Sequence, residues 1–143
     1  RSDCAPLNGL VEEILKEGDA VHVLRDPTRG GVATTLKEIA IQSKVGITLR
    51  ETALPFNEAV RGVCAILGLD PLYVANEGKL LAIVAPEKAA AVLARMRDHR
   101  FGTDAAIIGE VTANTAGRVQ METVVGGMRA VEMLAGEQLP RIC

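Results

Sequence analysis

Aromatic residues are almost absent from this sequence. They make up 2% of its 143 residues and none is Trp, whereas 48% of the residues are hydrophobic. A core of domain size is therefore available, and it must be built from aliphatic side chains. A chain of this length most often forms one domain, and we expect one here.

Three further absences narrow the possible functions. Lys and Arg number 16 against 18 Asp and Glu, and no basic cluster occurs, so nucleic acid is not an expected partner. No apolar run is longer than that of residues 80–85, which is far too short to cross a membrane. The three cysteines show no Cys-x-x-Cys spacing, which argues against a disulfide framework or zinc site and favours a reducing cytoplasm.

Strand and helix patterns alternate along the chain, which predicts an α+β domain with helices packed on a sheet. Because residues 79–85 are almost entirely apolar, we expect this strand to be central in the sheet. The other predicted strands are residues 20–24, 47–50, 106–111 and 118–123. Helices are predicted at residues 8–16, from Val32 to a break at Gly46, along the apolar stripe of residues 60–67, from Pro86 onward and at residues 128–135.

The first candidate site lies between a predicted strand and a predicted helix. It is the run Arg25-Asp26-Pro27-Thr28-Arg29-Gly30-Gly31. The N–H groups of a helix N-terminus attract anions, glycines allow a ligand to approach the backbone, and two arginines can grip phosphate or carboxylate. The alternative is purely structural: Asp26 caps the helix, Pro27 begins it and the glycines make the turn. The spacing leaves both interpretations open.

The second candidate is Asn76-Glu77-Gly78, directly before the apolar strand. A carboxylate at the mouth of a buried strand can act as a general base. The same three residue types are also ordinary turn formers, so the pattern alone does not assign a function.

The third candidate is the last residue, Cys143, at the end of residues 137–143. We expect these residues to form a flexible tail on a domain of residues 1–136, because chain ends are commonly exposed. A thiol at the tip of such an arm suits a carrier group, although an exposed thiol without a function fits equally well. Of the remaining candidates, Cys64 is expected in the core, and His22 has no partner at ligand spacing, so no metal site is predicted.

Four stretches resemble, in order, the second half of the HypE family of hydrogenase maturation proteins, within the aminoimidazole ribonucleotide synthetase superfamily. They are Ser2-Asp3-Cys4-Ala5-Pro6-Leu7, the run of residues 25–31, Ala75-Asn76-Glu77-Gly78-Lys79 and Pro140-Arg141-Ile142-Cys143. The terminal Pro-Arg-Ile-Cys is the specific signal, since the Gly-Gly loop alone indicates only the superfamily. The resemblance implies a layered α/β/α domain with a mixed sheet, acting as the C-terminal domain of a two-domain protein whose N-terminal ATP-binding domain is absent here.

The resemblance also implies an activity. The carbamoyltransferase HypF would place a carbamoyl group on Cys143, and ATP would be used to dehydrate this thiocarboxamide to a thiocyanate. The cyanide would pass to iron on the HypC–HypD complex, for the active site of [NiFe] hydrogenase. The full-length protein would be a cytoplasmic homodimer, and Mg²⁺ with most of the ATP would be bound by the missing domain, so the fragment alone should be inactive.

The resemblance assigns roles to the candidate residues. Glu77 would remove nitrogen protons as the triple bond forms, and Asn76 would orient the carbamoyl group. The residues that would face the ATP phosphates or the docked tail are Asp26, Thr28, Arg29, Gly30 and Gly31. Two other functions remain as alternatives, namely another ATP-dependent member of the superfamily (a kinase or ligase) and a non-catalytic binding module.

Overall fold

The computed structural model describes residues 4–133, and within this range it contains helices and two sheets. The helices are α1 (Asn8–Leu15), α2 (Gly31–Ser43), α3 (Glu58–Leu67) and α4 (Ala89–Asp98). The strands are β1 (Val21–Arg25), β2 (Gly46–Arg50), β3 (Leu81–Val84), β4 (Gly109–Thr112), β5 (Val119–Glu122) and β6 (Met128–Ala130). The predicted α+β fold is confirmed. The division into a domain of residues 1–136 and a tail stays a prediction.

The larger sheet is mixed, with the strand order β4-β2-β5-β6. β2 and β5 run parallel, and the other two pairs are antiparallel. Side chains alternate between the faces: Leu49 and Met121, which are register partners, are buried, whereas Gln120 donates a hydrogen bond to the Thr48 hydroxyl on the other face. The buried face packs against α2 and forms the larger core cluster.

β1 and β3 form a separate antiparallel ribbon, so the prediction that the apolar strand is central in the sheet is wrong. The ribbon has core on both faces, because Leu81 and Ile83 pack against the larger cluster while Leu80 and Val84 pack against a smaller one. The smaller cluster is built from α1 and α4. Two-sided burial therefore explains the unbroken apolar run without a central position.

α2 forms as predicted, but it ends before Gly46. Lys44 adopts a left-handed conformation (φ 54°) that ends the helix, and Gly46 is the first residue of β2. A side chain at position 46 would clash with the carbonyl oxygen of Asn114. Gly46 therefore allows two backbone segments to approach each other closely, and it is not the residue that ends the helix.

α3 is the least buried helix of the described chain. Of its apolar stripe only Cys64 is buried, as predicted for that residue, whereas Val63 is 55% exposed and Ile66 is 85% exposed. Its main packing partner is the 3₁₀ turn Pro71–Tyr73. The amphipathic pattern predicted the helix correctly but not the burial of its apolar face.

The predicted helix at residues 128–135 is wrong within the described range. Residues 128–130 form β6, in which Arg129 pairs with Met121 of β5. Val131 follows with no exposed surface, and its amide donates a hydrogen bond of 2.9 Å to the carbonyl oxygen of Val119. Pairing with β5 overrides the local helical tendency. The predicted tail, with Cys143, lies outside the described residues.

Candidate functional site

The structure brings the first two candidate motifs together. The amide of Asn76 donates a hydrogen bond of 3.1 Å to the carbonyl oxygen of Pro27. The ribbon explains this meeting, because Arg25 at the end of β1 pairs with Leu81 at the start of β3. The chain therefore leaves β1 and enters β3 at the same end of the ribbon, and residues 26–31 meet residues 76–78 there.

Gly31 is required by the start of α2. It has φ +63°, and a Cβ atom there would lie 2.6 Å from the carbonyl oxygen of Val74 and still closer to that of Leu72. The N-cap residue Gly30 has φ +71° and provides no side-chain cap. The structural alternative in which Asp26 caps the helix and Pro27 begins it is therefore wrong.

The N-terminus of α2 has features of an anion site. A 13-residue helix begins there without a side-chain cap. The Gly31 amide donates to the carbonyl oxygen of Thr28 and Ala33 is fully buried, so in this first turn a ligand can contact the amide of the half-buried Val32. The hydroxyl of Thr34 is buried directly beneath Gly30 and has no hydrogen-bond partner among residues 4–133. Because this hydroxyl has almost no accessible surface, a polar ligand at the N-terminus of α2 would reach it only after a shift of the Gly30 backbone. Sequence reasoning missed Thr34, although it lies one helical turn after Gly30.

The charged side chains of the loop are arranged differently from the expected pair of arginines. Arg25 Nη2 lies 3.0 Å from Glu38 Oε2, so this guanidinium already binds a carboxylate of α2. Arg29 and Asp26 are exposed on the loop, and Thr28 is half-buried. The loop therefore presents Arg29 to solvent, while Arg25 joins the end of β1 to α2.

Asn76 lies against the loop, and Glu77 follows it in the chain. The Asn76 side chain donates a hydrogen bond of 2.7 Å from Nδ2 to the carbonyl oxygen of Val74, which holds the amide group against its own turn. Glu77 is exposed at the next position. The turn leaves the Glu77 carboxylate exposed. A turn-forming role for these residues is therefore compatible with a functional role for Glu77.

The last described residues also reach this region. Tyr73 Oη donates a hydrogen bond of 2.8 Å to the backbone oxygen of Glu132. Glu132 Oε2 lies 2.8 Å from Lys37 Nζ on α2. Glu132, the residue before the last described one, is therefore attached to α2 and to the 3₁₀ turn Pro71–Tyr73 that precedes Asn76.

The described residues do not fit a metal site. Within residues 4–133, no group of three or more His, Cys, Asp or Glu side chains could hold a metal ion. His22 is exposed on β1. No helix in the described part of the chain is both long and apolar enough to cross a bilayer.

The chain belongs to the family of AIR synthase related proteins, C-terminal domain, whose model matches residues 1–122. Within this family it is similar to carbamoyl dehydratase HypE of Bradyrhizobium diazoefficiens, with 57% identity over 99% of this chain and 41% of that protein. A structure of HypE in complex with ATP matches with 54% identity and a TM-score of 0.91, over 99% of this chain and 44% of that one. The HypE–HypF complex matches with 46% identity and a TM-score of 0.89, over 93% and 43%.

These comparisons confirm the predicted resemblance to HypE along the whole chain. The chain spans about two fifths of the length of the curated relatives that it matches.

Proposed function

We propose that this chain is the C-terminal domain of a hydrogenase maturation protein that dehydrates a carbamoyl group carried on Cys143. The observation that carries the proposal is the hydrogen bond between Asn76 and Pro27, which joins the anion-binding loop to the segment with the candidate base. The names of the relatives support the reaction type, because they are carbamoyl dehydratases. A related structure that contains ATP supports the cosubstrate.

The reach of the C-terminal residues supports a meeting of thiol and base. Residues 134–143 can span at most about 33–36 Å when extended. They follow Glu132 and Met133, and Glu132 is bonded to Tyr73, which precedes Asn76 by three residues. The four Cα–Cα steps from Tyr73 to Glu77 span at most about 15 Å. Cys143 can therefore reach Glu77 with chain length to spare.

The proposed chemistry uses ATP to turn an amide oxygen into a leaving group. The γ-phosphoryl group moves to the oxygen of the Cys143 thiocarboxamide, so that an O–P bond forms, the bond to ADP breaks, and the first nitrogen proton passes to solvent water. The C–O bond then breaks and inorganic phosphate departs with its electron pair. Glu77 takes the second nitrogen proton as the C≡N bond of the thiocyanate forms. The oxygen of the eliminated water thus ends in the phosphate.

The described residues would share this work. The start of α2 at Gly31 would face the transferring phosphoryl group, where the Val32 amide would stabilise its charge and Arg29 would add a cation. Asn76 would orient the carbamoyl group beside Glu77. Asp26, Thr28 and Gly30 would line the loop on the ATP side. We assign Mg²⁺ and most ATP contacts to the part of the HypE relatives that this chain does not span.

The partners follow from the same proposal. The carbamoyl donor would be a HypF-type carbamoyltransferase, which is supported by the HypE–HypF structure among the relatives. The acceptor of cyanide would be iron on a HypC–HypD scaffold. The complete protein would act as a cytoplasmic homodimer.

Intact mass spectrometry tests the proposal directly. The protein used should join this chain to the preceding part of HypE, and it should be treated with the carbamoyltransferase and carbamoyl phosphate, then with ATP. We expect a gain of one carbamoyl mass followed by a loss of one water. Cys143→Ala should abolish both changes. Cys4→Ala, which removes an exposed thiol elsewhere, should abolish neither.

The same experiment separates the alternatives. A terminus that stays unmodified would contradict the carrier function, and ATP turnover that persists in Cys143→Ala would favour a kinase or ligase. Full activity in Glu77→Gln would contradict the proposed base.

Calorimetry on this chain alone should detect at most weak ATP binding, and micromolar affinity would contradict our assignment of the ATP contacts to the remainder of the protein.

A further inference from the structure

The side chain of Asn76 is held in one orientation by its own turn. Nδ2 donates a hydrogen bond of 2.7 Å to the carbonyl oxygen of Val74, and of residues 4–133 only Val74 is hydrogen-bonded to this side chain. A carbonyl oxygen can only accept a hydrogen bond, so the branch of the amide group that faces Val74 must be the NH2 group. The oxygen Oδ1 therefore lies on the other branch and is directed away from Val74.

The backbone of Asn76 is held as well. Its amide donates a hydrogen bond of 3.1 Å to the carbonyl oxygen of Pro27 in the loop before α2. Both nitrogens of the residue are thus engaged, one by the turn and one by the loop, whereas the side-chain oxygen is not. Oδ1, a hydrogen-bond acceptor, is therefore the principal group that this half-buried residue offers to a ligand.

Acceptors and donors lie on different segments of the candidate site. Residues 76–77 supply two acceptors, Oδ1 of Asn76 and the exposed carboxylate of Glu77. The other segment supplies donors, namely Arg29 and the amide of Val32 at the start of α2. A carbamoyl group has the same division, because its nitrogen donates hydrogen bonds and its oxygen accepts them. The site therefore fits a carbamoyl group whose nitrogen faces residues 76–77 and whose oxygen faces the loop.

We propose that Asn76 is a specificity-determining residue that accepts a hydrogen bond from the carbamoyl nitrogen. This inference rests on the function proposed above and deepens it, because it assigns the atom that Asn76 recognises. Oδ1 would hold the nitrogen beside Glu77, which takes the last N–H proton. The carbamoyl oxygen would remain directed toward the phosphoryl group that it receives.

An acceptor at this position discriminates against groups that have no N–H. A carboxyl or ester group on the same thiol would place an oxygen against Oδ1 of Asn76 and the carboxylate of Glu77, and acceptors that face each other repel. A site that hydrogen-bonds an N–H rejects the analogue without it, because its own polar group is then left unpaired. The fixed amide would therefore select a carbamoyl group, which unlike these analogues can lose water to form a nitrile.

The test is single-turnover dehydration in the complete protein, carbamoylated on Cys143 and mixed with ATP. Asn76→Ala removes Oδ1 together with the bond to Val74, whereas Asn76→Asp removes the donor and keeps an acceptor. We expect Asn76→Ala to lower the maximal rate about tenfold at an unchanged half-saturating ATP concentration, and Asn76→Asp to stay within about threefold of wild type. Because both variants lose the bond to Val74, the difference between them isolates the acceptor.

NMR of the carbamoyl group gives a readout that a purely structural role of Asn76 would not change. The protein is loaded from ¹⁵N-labelled carbamoyl phosphate, and exchange of the N–H protons with water is measured before ATP is added. One N–H should exchange about tenfold more slowly in wild type and Asn76→Asp than in Asn76→Ala, because a hydrogen bond to the acceptor protects it.

Asn57 provides the matched control, since its side chain accepts a hydrogen bond of 2.9 Å from the amide of Ala59 at the start of α3, outside the candidate site. Asn57→Ala and Asn57→Asp should leave the rate and the proton exchange unchanged, and unfolding in urea should be measured for every variant.

The outcomes separate the inference from the function on which it rests. Wild-type protein that fails to lose water would refute the proposed function itself. Wild-type turnover with Asn76→Asp no faster than Asn76→Ala would overturn the acceptor role alone. So would a rate in Asn76→Ala equal to that of wild type, a raised half-saturating ATP concentration, or N–H exchange that is the same in all variants.

Discussion

The amide of Asn76 lies 3.1 Å from the carbonyl oxygen of Pro27 and donates a hydrogen bond to it. Pro27 is among the fully buried side chains, so its carbonyl belongs to a well-packed part of the loop. The bond holds the segment with Glu77 against the segment that begins α2. The candidate base and the candidate anion site at the helix N-terminus are thereby held close together, as the proposed chemistry on a phosphorylated carbamoyl group would require.

Glu77→Gln should block dehydration but not carbamoylation in the complete protein. The amide keeps the shape of the side chain but cannot accept a nitrogen proton, and loss of a general base typically costs about 10²–10⁴ in rate. Mass spectrometry of the ATP-dependent step measures this loss, with Glu87→Gln at an exposed position of the turn Pro86–Lys88 as the control. Equal dehydration rates in Glu77→Gln and wild type would remove Glu77 from the mechanism.

Gly31→Ala should destabilise the protein by at least about 2 kcal/mol, because the left-handed backbone penalises a side chain and the new Cβ meets two carbonyl oxygens. Gly62→Ala is the control, and we expect it to have the opposite effect on stability. Gly62 lies inside α3, and a Cβ atom added there would meet no neighbouring segment within 4 Å, so alanine should stabilise by about 0.5–1 kcal/mol. Urea unfolding measures both, and a neutral Gly31→Ala would contradict the close packing of α2 on residues 72–74.

Leu49→Ala and Ile66→Ala should differ sharply although both remove large aliphatic groups. Leu49 is 1% exposed between β5 and α2, and its truncation should cost about 2–5 kcal/mol. Ile66 on α3 is 85% exposed, and its truncation should change the free energy of unfolding by no more than about 0.5 kcal/mol. Denaturation of the two variants checks this, and a large cost for Ile66→Ala would show that α3 is covered.

Glu17 should contribute to acid sensitivity. Hydrogen bonds from Arg95 and then Lys88 hold the pKa of Glu17 below its ordinary value of 4.5 in the folded protein. A lowered folded-state pKa stabilises the protein above the unfolded-state value, and this stabilisation disappears as the pH falls through the folded value. Wild type should therefore lose more stability than Glu17→Gln when the pH is lowered from about 5 to about 3.

Urea unfolding at a series of pH values measures this difference. Glu13, whose pKa is lowered by its hydrogen bond to Lys16, remains in both proteins and cancels in the comparison. Glu12→Gln, at an exposed position of α1, controls for the removal of one carboxylate from a nearby part of the chain. Parallel stability curves for wild type and Glu17→Gln would contradict the role of the Arg95 and Lys88 contacts.

Much of the fold is predictable from local patterns. The helical spacing of Val32, Leu36 and Ile39 predicts α2, and turn-forming residues delimit β5 within the predicted residues 118–123. Local signals fail where pairing over long distances decides the structure. Residues 128–130 have helical tendency but complete the larger sheet, because their backbone groups bond to β5.

The candidate site, like the fold, is predictable from the sequence only where local residue types indicate it. The Gly-Gly run and the Asn-Glu-Gly turn are visible in the sequence as candidate motifs, since glycine and asparagine between predicted elements indicate turns. Thr34 and Lys37 are not identifiable in this way, because an orphaned hydroxyl and a buried ammonium group are properties of packing and not of spacing.

Composition, periodicity and motif residues were thus sufficient for the fold class, the main helices and the residues that resemble HypE. These are properties of short stretches, in which neighbouring residues impose the backbone conformation. The meeting of residues 26–31 with residues 76–78, and the attachment of Glu132 to Lys37 and Tyr73, arise only on folding. They depend on the β1–β3 ribbon and on core packing, which join segments far apart in the chain, and no local pattern encodes such a distance.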